Sequence, residues 1–297
     1  MKQLLLVAVA SVSLSGCFRS IATGALADAL SSGSSLGRDD DPELVRDAAP
    51  FGLKTMESVL DSQPQHLGLL TSLAAGFAQY GYAFVQQEAD AAELEGHSAV
   101  SQRHRLRAKK LFLRARDYGL KGLDVSAPGL AQKLRSVEGL TAACQVLKKE
   151  DLPLVYWTAA AWALAISAGK DDMSLISQLP VPEALMRRAL ELDETWGQGA
   201  VHEFWVSFEA ARPGGTEAAA KKHLERAVEL AHGAHLGVWV SWAEGPLVAA
   251  QKRAEFEAVL KKVLAADAEA SLDDRLANTI AQRRARLLLA HADDLFN

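Results

Sequence analysis

The chain has 297 residues, 49% hydrophobic and 23% charged, with a formal net charge of −5 and a pI near 5.9. That composition is apolar enough to build a core, and the mild acidity excludes nucleic acid as a partner. Cysteine occurs only at positions 17 and 144, too few for a disulfide-stapled scaffold.

The first element is a targeting segment. Lys2 precedes an apolar, small-residue run from Leu4 to Leu14, the length of a signal-peptide core and too short to span a bilayer. It ends in Leu14-Ser15-Gly16-Cys17, which resembles the bacterial lipobox. Residues 1–16 are therefore expected to be a lipoprotein signal peptide, and Cys17 the acylated first residue of the mature chain. Each buried CH₂ of an acyl chain contributes roughly 0.8 kcal/mol, so two or three chains anchor a protein firmly, and the membrane is reached through the lipid alone. Phe18 stands where an aspartate would signal inner-membrane retention, which favours an anchor in the outer membrane, facing the periplasm. With Cys17 lipidated, Cys144 has no partner, and its neighbours Leu140, Ala143 and Leu147 make it a small core residue.

Residues 17–41 are expected to form a flexible tether. Ser31-Ser32-Gly33-Ser34-Ser35 cannot build a core, and Arg38-Asp39-Asp40-Asp41 is dense in charge. Pro42 then opens the folded part, residues 42–297, at a helix N1 position with Asp41 as N-cap.

From Pro42 onward the pattern is helical. Leu70, Leu73, Phe77, Tyr80 and Phe84 recur every three or four residues, as do Leu185, Ala189 and Leu192, and Ala220, Leu224, Ala227 and Ala231. Breaks are expected at Asp61-Ser62-Gln63-Pro64, Pro128-Gly129, Leu179-Pro180-Val181-Pro182, Arg212-Pro213-Gly214-Gly215, Gly233 and Gly245-Pro246. Thr216 is placed to cap one helix, and Ser271-Leu272-Asp273-Asp274 reads as a capping box for another. The acidic positions Glu88, Asp90, Glu93 and Glu95 and the basic positions Arg103, Arg105, Arg107, Lys109 and Lys110 read as two solvated helix faces. Two uncharged stretches, Leu67 to Val85 and Leu152 to Gly169, approach bilayer-spanning length. The first is interrupted by polar residues and glycines, the second is rich in alanine, and neither has a basic flank; both are expected to pack between other helices.

Arg188-Ala189-Leu190-Glu191-Leu192 returns 38 positions later as Arg226-Ala227-Val228-Glu229-Leu230, with a fainter copy at Leu113-Arg114-Ala115-Arg116. A helix pair repeating at that interval implies an all-α, tetratricopeptide-like helical-repeat solenoid, in which neighbouring pairs stack to bury faces that none can bury alone. Trp157 and Ala161 resemble the first helix of such a repeat, and Leu192-Asp193 a repeat end.

Catalytic patterns fail on spacing. His202-Glu203 begins like a zinc-protease helix, but Val206 and Ser207 stand where the second histidine would be. His232 and His235 lack a third ligand nearby. There is no G-x-S-x-G, Walker loop or dinucleotide glycine pattern, so no catalytic residue, metal or cofactor is expected. The candidate binding residues are tryptophans, which combine an apolar face with a donor: Trp157, Trp196, Trp205 and Trp239.

Taken in order, a set of segments resembles one family. After the lipobox come Leu60-Asp61-Ser62-Gln63-Pro64, Tyr80-Gly81-Tyr82-Ala83-Phe84-Val85, Arg114-Ala115-Arg116-Asp117-Tyr118-Gly119-Leu120 and Tyr156-Trp157 through Trp162-Ala163. Then follow Arg188 to Asp193, Gly214-Gly215-Thr216, Phe256, Leu276-Ala277-Asn278-Thr279-Ile280-Ala281, Ala285-Arg286-Leu287-Leu288 and Asp293-Asp294-Leu295-Phe296. Over roughly residues 40–297 the chain is similar to the T component of tripartite ATP-independent periplasmic (TRAP) transporters, the TatT family. The resemblance implies a lipid-anchored periplasmic protein that associates with the solute-binding P subunit. It also implies self-association into a homo-oligomer around a pore, and passage or shielding of an apolar ligand. Read without the resemblance, the same residues also suit a lipoprotein scaffold for outer-membrane assembly or secretion.

Overall fold

The computed structural model describes residues 27–28, 31, 35–136 and 138–296; Cys17 and the expected signal peptide lie outside them. Every regular element is helical, and no strand occurs among the described residues. Helices of about two turns or more are numbered α1 to α11 in chain order.

α1 (Pro42–Leu60) starts as its sequence requires. The Asp41 carboxylate accepts the Leu44 N–H at 3.0 Å, and Pro42 occupies the first turn, where its missing N–H costs nothing. Val45, Leu53 and Leu60 bury one face. α2 (Leu67–Tyr80) buries Leu69, Leu70, Leu73, Ala74 and Phe77 and then widens into a π-helical turn, Gly81–Gln86, before α3 (Gln87–Leu94). α4 (Ser98–Ser126) and α5 (Leu152–Ala168) form the most extensive helix pair. The alanine-rich α5 is buried on nearly every side, which is why it has no polar face. No helix among the described residues is long and apolar enough to cross a membrane. A Cβ at Gly119 would lie 2.1 Å from Thr158 Oγ1, so the α4–α5 approach requires glycine there. Thr158 itself is fully buried, and its hydroxyl donates to the Leu154 carbonyl at 2.6 Å.

α6 (Pro180–Asp193), α7 (Ala200–Ala211) and α8 (Glu217–Leu230) contain the sequence repeat. Ala189 and Ala227 are both fully buried, and so is Ala115 of the fainter copy. The arginine before each alanine reaches back along the chain. Arg114 meets Glu57 at 2.6 Å, Arg188 donates to the Leu147 carbonyl at 2.7 Å, and Arg226 pairs with Glu194. Thr216 caps α8 by accepting the Ala219 N–H at 3.1 Å.

Two sequence expectations are corrected in the C-terminal third. Gly245-Pro246 does not break a helix: α9 (Gly237–Trp242) continues through a second π turn, Ala243–Leu247. A widened turn leaves backbone groups outside the regular ladder, so a proline without an N–H is tolerated there. Ser271–Asp274 is not a reciprocal capping box. The Ser271 hydroxyl donates to Asp274 Oδ2 at 2.5 Å, and Asp274 Oδ1 lies 3.3 Å from His235. α10 (Arg253–Ala265) and α11 (Arg275–Ala290) complete the chain.

Packing runs mostly between neighbours in sequence, around three apolar clusters centred on α2, on α4 to α7, and on α8 to α11. α2 also packs on α5, and the longest return is that of α11, which reaches α1 and a 3-10 turn at Ser35–Arg38. Three exposed ion pairs mark this seam: Arg38–Asp273 at 2.7 Å, Asp40–Arg275 at 3.3 Å and Glu43–Arg283 at 2.5 Å. Residues 35–41, placed by composition in a solvated tether, therefore lie against the far end of the chain. Further upstream, Ala27 is fully buried in the cluster of Leu53, Leu60 and Leu69.

Candidate functional site where the chain closes on itself

The return of α11 brings together four polar residues from four separate elements. Tyr82 comes from the first π turn, Asp90 from α3, Glu244 from the second π turn and Arg284 from α11. π turns recur at functional sites because the extra residue re-aims side chains that a regular helix would carry elsewhere. Here each π turn supplies one member of the cluster.

Arg284 is the centre. It is 6% exposed. Its Nε donates to Glu244 Oε2 at 3.1 Å, and Nη2 bonds Glu244 Oε1 and meets Asp90 Oδ2 at 3.1 Å. Burial works against the charge on Arg284, but Glu244 and Asp90 outweigh it, and its pKa is raised. Asp90 also accepts the Gln86 amide at 2.7 Å. Burial pushes its carboxyl above the usual aspartate value despite Arg284. Nη1, with two N–H groups, is buried and has no partner. Tyr82 keeps 43% of its surface open, yet burial, reinforced by the negative charge of Glu244, pushes its phenol up to about 12.

Two cavities lie elsewhere. One of about 130 Å³ opens on the seam between α1, the first π turn and α11, lined by Pro42, Arg46, Phe84, Ile280 and Arg283 among others. A wider groove of about 460 Å³ runs along α4 past Lys110, Arg114, Tyr118 and Lys121. Neither contains a buried polar atom left without a partner.

The four predicted tryptophans separate. Trp157 and Trp196 meet through Tyr156, whose ring centroid lies 5.0 Å from the first and 4.8 Å from the second. Burial raises the Tyr156 phenol, with the Glu203 charge adding to it. Trp196 opens a turn in which Gly197, Gln198 and Gly199 all have positive φ, at 58°, 55° and 96°. Gln198 is strained there, since left-handed backbone is costly for a residue with a Cβ. Trp205 is a core residue, 2% exposed, stacked on His223 at 5.7 Å and edge-on to Phe208 at 5.5 Å. Trp239 lies apart, half-buried beneath Lys262 Nζ, which is 4.0 Å from its ring centroid.

The histidines resolve into structural pairs. His202 Nδ1 faces His223 Nδ1 at 2.8 Å, and His202 Nε2 faces Glu194 at 3.2 Å. Burial lowers both imidazoles, His223 to about 4, so both are neutral at pH 7 and one donates to the other. His235 is raised instead, chiefly by its hydrogen bond to Glu203. Among the described residues no group of three or more His, Cys, Asp or Glu could hold a metal ion. Cys144 is buried, and burial raises its thiol to about 11. Asp90 was read as part of a solvated acidic face; its carboxylate instead meets Arg284. Tyr82, Glu244 and Arg284 were missed because the partners of Arg284 stand 40 and 194 positions away. The only local signal was a glycine beside both Tyr82 and Glu244.

The sequence model described as TRAP transporter T-component matches residues 38–296. A protein of Treponema pallidum (strain Nichols), described as an uncharacterized protein, is 28% identical over 266 residues, covering 87% of this chain and 81% of that one.

Proposed function

Because the chain belongs to the TRAP transporter T-component family, we propose that it is a lipid-anchored envelope subunit that binds the transporter's solute-binding P subunit and performs no chemistry of its own. The family match over nearly the whole folded region carries this reading. One feature of the geometry supports it. Helices pack mostly on their sequence neighbours and an arginine–alanine pair recurs at 38 residues, as a tetratricopeptide-like solenoid with a large surface for a partner would require.

In this proposal Cys17 carries the lipid and faces the protein into the periplasm, from the outer membrane rather than the inner. The chain self-associates, and the aromatic group of Tyr156, Trp157 and Trp196 holds or passes the apolar part of a small ligand. The test is co-purification of the full lipidated chain with the P subunit encoded beside it, followed by titration of the two purified proteins. Saturable association with a Kd below about 10 μM is expected, corresponding to roughly −7 kcal/mol. Absence of association, or recovery of an outer-membrane barrel or secretin in place of the P subunit, overturns the transporter reading. A Cys17→Ser variant is expected to leave the membrane fraction.

A further inference from the structure

The outer face of α4 concentrates positive charge on a protein whose net charge is −5. Arg103, Arg107, Lys110, Arg114 and Lys121 recur at helical spacing, so they form one stripe, about 27 Å long, and all five are exposed. The acidic run before α4 does not neutralise them, because it meets another side of the helix: Glu88 faces His104 at 3.2 Å and Glu93 faces Arg105 at 3.8 Å. Asp117 falls on the stripe but is taken by Arg116 at 2.7 Å. Arg114 is paired with Glu57. The other four have no carboxylate partner among the described residues; Arg107 reaches only the Tyr80 hydroxyl at 3.4 Å, and Lys121 lies over the Tyr118 ring.

A row of separated cations does not converge on one small anion. It matches a surface whose negative charge is spread out. The start of the chain indicates which surface. Ala27 is buried in the cluster that includes Ala115, Phe77 and Tyr118, and this cluster lies directly under the stripe, with the Arg114 guanidinium 5.0 Å from the Phe77 ring centroid. Cys17 stands ten residues before Ala27. Ten residues reach at most about 36 Å even when fully extended. A folded chain of this size is roughly 45 Å across. An acyl chain on Cys17 therefore keeps the side that holds Ala27 towards the bilayer.

We propose that the α4 stripe docks on the anionic lipid headgroups of the membrane that holds the anchor, so that lipid and stripe together fix the orientation of the protein. The inference rests on the reading of Cys17 as the lipidated residue. An acidic face of a partner protein would satisfy the same charges, but the short reach to Cys17 favours the membrane.

Flotation of the mature chain, residues 17–297 carrying Cys17→Ser, tests the stripe without help from a lipid. Vesicles of phosphatidylcholine containing about 30% phosphatidylglycerol are expected to bind it at low salt and release it at about 0.5 M salt, and vesicles of phosphatidylcholine alone to leave it free. Lys110→Gln with Lys121→Gln removes two exposed, acid-free cations; it is expected to weaken binding at least about tenfold with the melting temperature unchanged. Lys221→Gln with Lys222→Gln makes the same change in net charge on α8 and is expected to have little effect. On the lipidated chain, Lys110 and Lys121 are expected to be shielded from an amine-acylating reagent on the anionic vesicles but not in neutral detergent micelles. Absence of binding, equal binding to both vesicles, or an equal loss in the α8 variant overturns the proposal. So does equal labelling in vesicles and micelles. A double α4 variant that binds vesicles normally but loses the P subunit assigns the stripe to the protein partner instead. A native chain found without acyl groups overturns the anchor, whereas failed flotation overturns the stripe alone, so the two failures are told apart.

Discussion

Two kinds of arginine tie occur in this protein, and they differ in how far along the chain they reach and how deeply they are buried. Arg188 and Arg226, one repeat apart, each bind a glutamate three residues on, Glu191 at 2.9 Å and Glu229 at 2.7 Å. Their second terminal nitrogen reaches the preceding segment, at the Leu147 carbonyl and at Glu194. Both terminal nitrogens are therefore used, and the side chain acts as a strut between consecutive parts of the array. Arg284 takes its partners from α3 and the second π turn instead, concentrates three contacts on Nε and Nη2, and leaves Nη1 open. A strut that repeats is explained by stacking. An arginine that joins distant elements is explained by the closure of the chain, which it ties at one buried point.

Arg284→Leu is the strongest way to break the comparison. It leaves Glu244 and Asp90, 37% and 26% exposed, without their counter-charge and opens the space of a buried side chain, and is expected to destabilise by about 2–4 kcal/mol in urea denaturation. A loss below about 1 kcal/mol would mean that the cluster is solvated and that the seam does not depend on it. Arg188→Ala is expected to cost less, about 1–3 kcal/mol by the same measurement, because it strips a charged donor from the Leu147 carbonyl while Glu191 remains free to turn into solvent. A loss as large as that of Arg284→Leu would erase the distinction between strut and centre. The smallest effect is expected from Glu43→Gln, which breaks the exposed pair with Arg283 at the same seam. Exposed pairs contribute about 0–1 kcal/mol, and this contribution should fade in salt. A larger, salt-resistant loss would place the closure of the chain in its surface charges rather than in Arg284.

Much of the fold was legible because its causes are local. Asp41, Thr216 and the proline-rich breaks act on the turn beside them, so helix starts at Pro42, Pro180 and Glu217 follow from the residues themselves. α5 could be identified as an enclosed helix because apolar residues occupy all its faces. The error at Gly245-Pro246 has an equally local cause. Both a break and a π turn suit a proline, and only the press of α7 decides between them: a Cβ at Gly245 would lie 3.2 Å from Ala210 Cβ. Among the tryptophans, residue type identified candidates but could not separate Trp205, enclosed by Phe208 and His223, from Trp196, lifted onto Tyr156 by a turn of left-handed residues.

The sequence by itself determined the helical class, the repeat interval, most of the helix starts and the family, because periodicity, caps and motif order are properties of neighbouring residues. Only the tertiary structure decided that residues 35–41 pack against α11 rather than trail from it, and that Asp90 meets Arg284 rather than water. Those outcomes depend on which elements meet in space after some 200 residues of intervening chain. The energy that selects them, desolvation of a guanidinium against two distant carboxylates, has no signature in any window of the sequence.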